Sequence, residues 1–350
     1  MKGNGSSLIA HLEGFSMECK GRFAVVLLVV ALAVMPCSCK AQPEGRSTGR
    51  GALCVATWNV QNIFDAVDDG TEYEEYTKAS GWNEEAYARR LAGAANVLSC
   101  IPSCGDYVVV LNEVENAGVV DDVFSQKALA GRGISQFAFA KAPGGAMGLV
   151  VASSLPIVHA KVHAVGEGLR PVLEVALKTD FGVLFVLAVH FKSNVGGVEE
   201  TSPSRALAGE VVAQVASSIL SGNPGCLVIV CGDFNEECWD GNSMGRGLES
   251  CAPLAVSGAF GRGVWYCPWL DSGNDSWPGG SYSYNGVWKC YDNILVSSAG
   301  NDGFGYELDR CGIVFSGAIR GADDKPNAWR RDLLKGVSDH LPVWAVFDAL

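Results

Sequence analysis

No two cysteines in this 350-residue chain stand in a Cys-x-x-Cys spacing, so the commonest sequence signature of a structural zinc site is missing. Basic charge is scarce as well. The 26 Lys and Arg face 38 Asp and Glu, a formal net charge of −12, which argues against a dedicated duplex-DNA binder with a basic face. It does not exclude a pocket in which a bound metal and a few local Lys or Arg set the field. Long apolar runs are missing too. The run at residues 23–35 has 13 residues, short of the about 20 that a membrane helix needs, and no other segment approaches spanning length. There is no internal repeat and no domain-scale linker. Hydrophobic residues make up 48% of the chain, enough for one large core or two small ones.

The 23–35 run has a different use. Lys20 and Arg22 precede it and Pro36-Cys37-Ser38-Cys39-Lys40 follows it, so a positive flank, a short apolar stretch and small residues read as an export signal. Cys37 or Cys39 is a candidate for lipidation, which would tether the N-terminus to a membrane. Met17-Glu18-Cys19-Lys20 would be a natural start, with residues 1–16 as an extension. The expected organisation is an extension and signal over 1–40, a polar Gly-containing linker over 41–52 and one folded domain over 53–350, acting as a monomer outside the cytoplasm: periplasmic, at the cell surface or secreted.

Thirteen cysteines are many, and export permits disulfides. Ten remain without Cys19, Cys37 and Cys39. Cys100 with Cys104, and Cys251 with Cys267, are near enough in sequence to bridge, while Cys54, Cys226 and Cys231 lie in apolar strand-like segments and are expected as buried free thiols.

From Leu53 onward the pattern is β–α–β. Strands are expected over 54–60, 107–112 and 148–153, a hairpin over 172–178 and 183–190, a central strand over 226–231 and a last strand over 343–347. Helices are expected over 84–98, over 119–130, and from a Ser202 or Ser204 cap to about 220. Asn285-Gly286 between 281–285 and 287–296 is a strong two-residue hairpin signal. Residues 239–280, rich in Gly, Trp and Pro with little periodicity, read as a long surface excursion; Trp239, Trp265, Tyr266, Trp269 and Trp277 in it could stack on bases, dip into lipid or simply pack. Too many helices intervene for a simple β-sandwich. Two packed mixed sheets with helices outside, an α/β architecture, account for the count.

Polar strings end the apolar runs: Trp58-Asn59-Val60, Asn112-Glu113-Val114, His190-Phe191-Lys192-Ser193, Gly232-Asp233-Phe234-Asn235 and Ser338-Asp339-His340. Strands that end in such side chains, set side by side, make one pocket. Carboxylate oxygens suit Mg²⁺ or Mn²⁺, imidazoles move protons and carboxamides hold phosphate oxygens, an inventory suited to metal-assisted hydrolysis of a phosphate ester. Each string alone has an ordinary reading, since Asp and Asn favour turns and a lone His after a strand is more often structural. Asp292, inside the apolar 290–296 run, needs a buried partner, and His340 is the natural candidate. If the strand ending at His190 continues, Lys192 lies on the same face as that histidine.

Together with Thr57-Trp58-Asn59-Val60-Gln61-Asn62, Tyr291-Asp292-Asn293-Ile294-Leu295 and Ser338-Asp339-His340-Leu341-Pro342-Val343, these strings resemble the endonuclease/exonuclease/phosphatase superfamily, and Gln61-Asn62-Ile63-Phe64-Asp65 with Glu113-Val114-Glu115-Asn116 resemble its exported bacterial nuclease-like members in particular. The resemblance covers about residues 53–348. It implies a four-layer α/β sandwich and a divalent-metal mechanism: Glu113 as main metal ligand with Asn59 and Asp339 adding to the metal or phosphate shell, Asp233 activating water, and Asn235 holding phosphate. It further implies His340 oriented by Asp292 as base or transition-state stabiliser, and His190 facing the leaving group with Lys192 nearby. Asn112 stands where Gln is more usual. Residues 137–148 hold no acidic partner for His190, so a backbone carbonyl is expected in its place. The implied activity is a phosphodiesterase with nucleic acid as substrate. A sphingomyelinase-like or inositol-phosphate-type phosphoesterase acting on a phospholipid or phosphorylated small molecule is the alternative, and a non-catalytic surface lipoprotein on the same scaffold the second.

Overall fold

Alternation along the first strand already separates two cores. Leu53 and Val55 face one way, Cys54, Ala56, Trp58 and Val60 the other, as a period of two requires, and all six are fully buried. The computed structural model describes residues 51–239 and 255–350. The expected leader, most of the linker and Cys251 lie outside the described residues.

In chain order the described elements begin with β1 (Leu53–Ile63), α1 (Glu84–Ser99), β2 (Asp106–Val114), α2 (Ala117–Phe124), β3 (Gln136–Lys141), β4 (Gly148–Ser153) and β5 (Ile157–His163). The hairpin β6 (Val172–Thr179) and β7 (Gly182–His190), α3 (Val198–Gly222) and β8 (Val228–Asp233) follow. The last part holds β9 (Ala255–Ser257), β10 (Val264–Tyr266), β11 (Tyr282–Tyr284), β12 (Val287–Lys289), β13 (Asp292–Val296), β14 (Tyr306–Ile313) and β15 (Val343–Ala349). One sheet has the order β14-β15-β1-β2-β4-β3, the second β5-β6-β7-β8-β13-β10-β9, and β11-β12 pair separately.

Three apolar clusters fill the spaces between four layers. The central one joins Val55, Val110 and Val151 of the first sheet to Val175, Val186 and Ile229 of the second. A second packs the outer face of the first sheet under α1 and α2, and a third packs the outer face of the second sheet under α3. The architecture is the four-layer α/β sandwich that the sequence implies. Asn83 caps α1 by accepting from Ala86 N at 3.1 Å, with Glu84 and Glu85 in the first turn.

Several expectations shift. Helix α3 starts at Val198, ahead of both Ser202 and Ser204, and Gly197 at its cap gives no side-chain bond. Residues 119–130 divide into α2 and a 3₁₀ segment at Lys127–Arg132. The 239–280 segment is not merely a surface excursion, for β9 and β10 extend the second sheet and Trp265 is buried in the third cluster. Trp269 and Trp277 meet edge to face at 5.1 Å, and Trp269 Nε1 donates to Asp292 O at 2.9 Å; these aromatics pack. Among the described residues no helix is long and apolar enough to cross a membrane.

The cysteines also depart from sequence proximity. Cys100 is exposed and Cys104 half-buried, both as free thiols. Cys104 instead meets Cys54, whose thiol hydrogen-bonds to it and, with Arg310 nearby, draws Cys104 down to about 7. Cys267 lies 3.9 Å from Cys238, sulfur to sulfur. Alkylation by iodoacetamide should therefore label Cys104 with a midpoint near pH 7, resolved from Cys100 by peptide mass spectrometry. Cys54→Ala should return that midpoint to the ordinary thiol range of about 8.5, and an unchanged midpoint would contradict the Cys54 contact.

Candidate active site

Two rows of register gather the polar strand ends. In the second sheet His190 pairs with Asp233 and Asp233 with Asp292, across β7, β8 and β13. In the first, Asn59 pairs with Asn112 across β1 and β2. Asn112 ties the sheets together, its Nδ2 donating to Val189 O at 2.8 Å and its Oδ1 accepting from Asp233 N at 3.2 Å. The carboxamide of Asn112 thus joins the backbone of β7 to that of β8.

The end of β8 depends on Gly232. Its φ is +146°, and a Cβ there would collide with Val189 O. Gly232→Ala should lower the melting temperature by more than 5 °C and reduce the folded yield, since backbone would have to move to relieve the clash; circular dichroism against the parent chain checks it. Glu113 and Asn235 both have positive φ, 67° and 51°, conformations that cost non-glycine residues energy and gather at functional sites. The β2–β4 register shifts between Asn112 and Val114, and this irregularity turns Glu113 into the cavity.

The cavity is about 760 Å³ and its lining includes Asn59, Glu113, His190, Asp233, Asn235, Asp339 and His340. Asn59 Nδ2 donates to Glu113 Oε1 and to Asp233 Oδ2, both at 3.0 Å, while its Oδ1 accepts from Gln61 N at 2.9 Å. Asn59 is thus placed to orient two carboxylates, its own oxygen turned to the backbone. His190 Nε2 lies 3.7 Å from Glu113 Oε1 and 3.6 Å from Asp233 Oδ2. Asn235 N donates to Asp233 Oδ1 at 2.8 Å and Asn235 Nδ2 to Phe191 O at 3.2 Å.

His340 Nδ1 and Asp292 Oδ2 share a hydrogen bond of 2.7 Å, and His340 Nε2 stands 4.0 Å from Asp233 Oδ2. Ser281 Oγ donates to the same Asp292 oxygen at 2.7 Å. Tyr282 lies against the imidazole, ring centroids 4.7 Å apart. The Ser338-Asp339-His340 turn is pinned by Ser338 Oγ donating to Asn59 O at 2.8 Å, and by Asp339 N donating to Gln61 Oε1 at 3.0 Å.

These environments set distinct charge preferences. Burial alone would lower His340, but Asp292, Asp233 and Asp339 outweigh it and hold the imidazole well above its ordinary value. His190 goes the other way, pushed well down by burial and by the positive Arg170 and His340. Asp233 is pushed up to about 7, first by burial and then by Asp292, against the pull of His340. Burial also raises Asp339.

Two sequence expectations are corrected. His190 Nδ1 has neither a carboxylate nor a carbonyl partner among the described residues. Strand β7 stops at His190, so Lys192 does not share its face; it is exposed and lines a smaller recess of about 180 Å³ with Tyr73 and Arg170. The sequence reading missed Arg170, Tyr73, Asn194, Tyr282 and Tyr291, all lining the main cavity. Asn194 Nδ2 donates to Asn235 O at 2.9 Å and Tyr291 OH at 2.8 Å. Only Tyr291 carried a signal, as the residue before Asp292.

Asp233, Asp292 and His340 could by proximity chelate a metal, but Asp292 and His340 are already hydrogen-bonded to each other. Glu113 and Asp339 better fit a hard cation, since both line the open cavity and neither pairs with a Lys or Arg among the described residues.

Residues 54–348 match the family model described as Endonuclease/Exonuclease/phosphatase family. Among solved structures the chain is similar to truncated TDP2 of Caenorhabditis elegans, with TM-score 0.54, 16% identity and 85% of this chain covering 98% of that one. It is also similar to TDP2 of D. rerio complexed with single strand DNA product, with TM-score 0.51, 15% identity and coverage of 85% and 99%. A third likeness is to beta toxin 275-280 of Staphylococcus aureus, with TM-score 0.50, 16% identity and coverage of 84% and 99%. At such identities the likeness is one of fold. No curated protein matches the sequence.

Proposed function

The chain belongs to the endonuclease/exonuclease/phosphatase family, whose enzymes are metal-dependent phosphoesterases, and we propose that it is an exported, Mg²⁺- or Mn²⁺-dependent phosphodiesterase hydrolysing nucleic acid. The observation that carries the hydrolytic reading is the Asp292–His340 hydrogen bond of 2.7 Å, directed past Tyr282 toward Asp233. In this reading Asp233 accepts a proton from the attacking water, and Asn235 N holds the Asp233 carboxylate in place. His340, charged through Asp292, stabilises the phosphoryl oxygens, and neutral His190 donates a hydrogen bond from Nε2 on the opposite side. Glu113 and Asp339 would hold the cation, with Asn59 fixing Glu113. A bound divalent metal supplies neutralisation of the charge that develops on phosphate.

Nucleic acid is favoured by what surrounds the centre. Tyr73 and Tyr291 line the cavity and offer ring faces on which bases stack, while Tyr282 is already packed against Tyr291 and His340. Arg170 and Lys192 in the adjoining recess are placed to meet a neighbouring phosphate, which a phosphomonoester would lack. A phospholipid is the second reading, because Tyr284 and Val287, 64% and 56% exposed, flank the tip of the β11–β12 hairpin beside the cavity. Export rests on the apolar leader pattern of residues 20–40, whose Cys37 and Cys39 supply a possible lipid anchor.

The test is turnover of single-stranded DNA, bis-p-nitrophenyl phosphate and sphingomyelin by the chain from about Ala41, with Mg²⁺, Mn²⁺ or EDTA. Cleavage of DNA and the model diester, abolished by EDTA, supports the proposal. Cleavage of sphingomyelin alone would replace nucleic acid by lipid. Inactivity on all three with either metal would leave a binding protein on this scaffold.

A further inference from the structure

The acidic segment that follows β1 is not used by the chemistry above, yet its side chains converge. Asp69 and Glu72 belong to this segment, and Glu115 stands just beyond the end of β2. We propose that these three carboxylates form a second cation site, separate from the catalytic centre, that takes Ca²⁺. One oxygen from each residue lies within 4.8 Å of the others. Ca²⁺ sits about 2.3–2.6 Å from its ligands, so oxygens across one ion are separated by at most about 5 Å, and this spacing fits.

The second observation is independent of the clustering. Glu115 is 0% exposed, and its Oε1 is buried with no hydrogen-bond partner among the described residues. Its other oxygen accepts from Asp65 N at 2.7 Å. A buried carboxylate oxygen with neither donor nor cation is costly, and the described residues supply no donor. Lys141, on β3, gives its Nζ to Thr71 Oγ1 at 3.3 Å. Among the described residues no Lys or Arg forms an ion pair with Asp69, Glu72 or Glu115.

The loop itself is arranged around these carboxylates. Asp69 N donates to Glu72 Oε1, Gly70 N to Glu72 Oε2 at 2.9 Å, and Thr71 N to Asp69 Oδ1 at 2.8 Å. These bonds hold the carboxylates while leaving lone pairs for an ion. An all-oxygen donor set on a loop that can adjust suits Ca²⁺ better than Mg²⁺, which demands near-ideal octahedral geometry and keeps its waters. The site would staple this loop to the end of β2. Tyr73, next to Glu72, lines the catalytic cavity, so the bound ion would fix one wall of the substrate cleft from outside it.

The proposal is tested by binding, independently of any activity. Glu113→Gln serves as the parent, because it removes the principal expected ligand of the catalytic metal. Equilibrium dialysis of this variant with Ca²⁺ should give one ion per chain, and saturating Ca²⁺ should raise its melting temperature by roughly 5 °C. Adding Glu115→Gln should abolish both the bound ion and the rise, while leaving the metal-free melting temperature no lower than the parent's. Asp69→Asn, at an exposed loop position, should abolish them too and covers the case in which Glu115→Gln folds poorly. No bound Ca²⁺ in Glu113→Gln, full retention of the rise in the added variants, or an equal rise with Mg²⁺ at the same concentration would each overturn the assignment.

Discussion

Asp233→Asn should fold and lose about 10²- to 10⁴-fold in kcat on a phosphodiester, the range over which a positioned proton acceptor contributes. The amide fills the same volume, but it cannot take the proton of an attacking water. Asp233 touches Asn59, Asn235 and both histidines, so loss of its charge is felt at every other group of the centre. Stability should move the other way or hardly at all. Burial raises Asp233 to about 7, so in the metal-free protein its ionisation costs stability as pH climbs from the ordinary carboxylate range through that value. Above pH 7 the neutral amide avoids that cost, and the variant's melting temperature relative to wild type should rise from pH 5 to pH 8. Steady-state kinetics with a thermal melt at both pH values checks the two halves together. Turnover within tenfold of wild type would remove Asp233 from the chemistry.

Much of this centre could be read from sequence because each contributing side chain ends a strongly apolar strand. In β1, β2, β7 and β8 the buried run announces itself by composition, and a polar residue at its end, Asn59, Glu113, His190 or Asp233, lines the cleft. Asp292 was readable for a related reason, as a carboxylate inside a buried strand that must find a partner. The reading failed where that logic has no purchase. Arg170 lies outside any helix or strand, in the stretch before β6 that offers no periodicity, so nothing local ties it to His190, twenty residues on. The same-face argument for Lys192 requires a strand that continues, and β7 stops two residues earlier.

Element boundaries show the same division. Strands β5 and β14 escaped notice because they lie toward sheet edges with many exposed positions, and such strands lack the apolar run that marks a central one. Ser202, Pro203 and Ser204 look like a cap and first turn, so the sequence places the start of α3 too late. The chain instead enters the helix at Val198, and Thr201 Oγ1 bonds back to Gly197 O at 2.6 Å. Asn285-Gly286 gave the hairpin tip correctly because its requirement is local: both residues adopt positive φ, 50° and 80°. The cysteine contacts could not be read at all. Cys54 with Cys104, and Cys238 with Cys267, are brought together by packing between elements, which sequence spacing does not encode.

Asp292→Asn carries the second large effect, and its pH signature separates orientation from mere packing. Asp292 is fully buried and does not line the cavity, so it does not touch substrate, and its hydrogen-bonded link to the cavity runs through His340. Its loss should reduce kcat by about 10²- to 10⁴-fold, as expected when the carboxylate partner of a working imidazole is neutralised. Asp292 is among the groups that hold His340 well above its ordinary value against the effect of burial. Because the folded value is raised, the stabilisation from charged His340 is complete below the unfolded pKa of about 6.5 and is lost as pH rises through the folded value. Without Asp292 that upper limit must fall, and any activity that needs the imidazolium should be lost at lower pH than in wild type. The prediction is therefore a reduced kcat together with a basic limb displaced to lower pH, and His340 ring resonances followed by NMR should titrate at the same displaced value. The double variant Asp292→Asn/His340→Ala should be scarcely slower than His340→Ala alone, because both changes remove one working unit. Independent, multiplicative losses, or a basic limb that stays in place, would show that Asp292 supports the fold rather than the chemistry, and would leave Asp233 as the group on which hydrolysis turns.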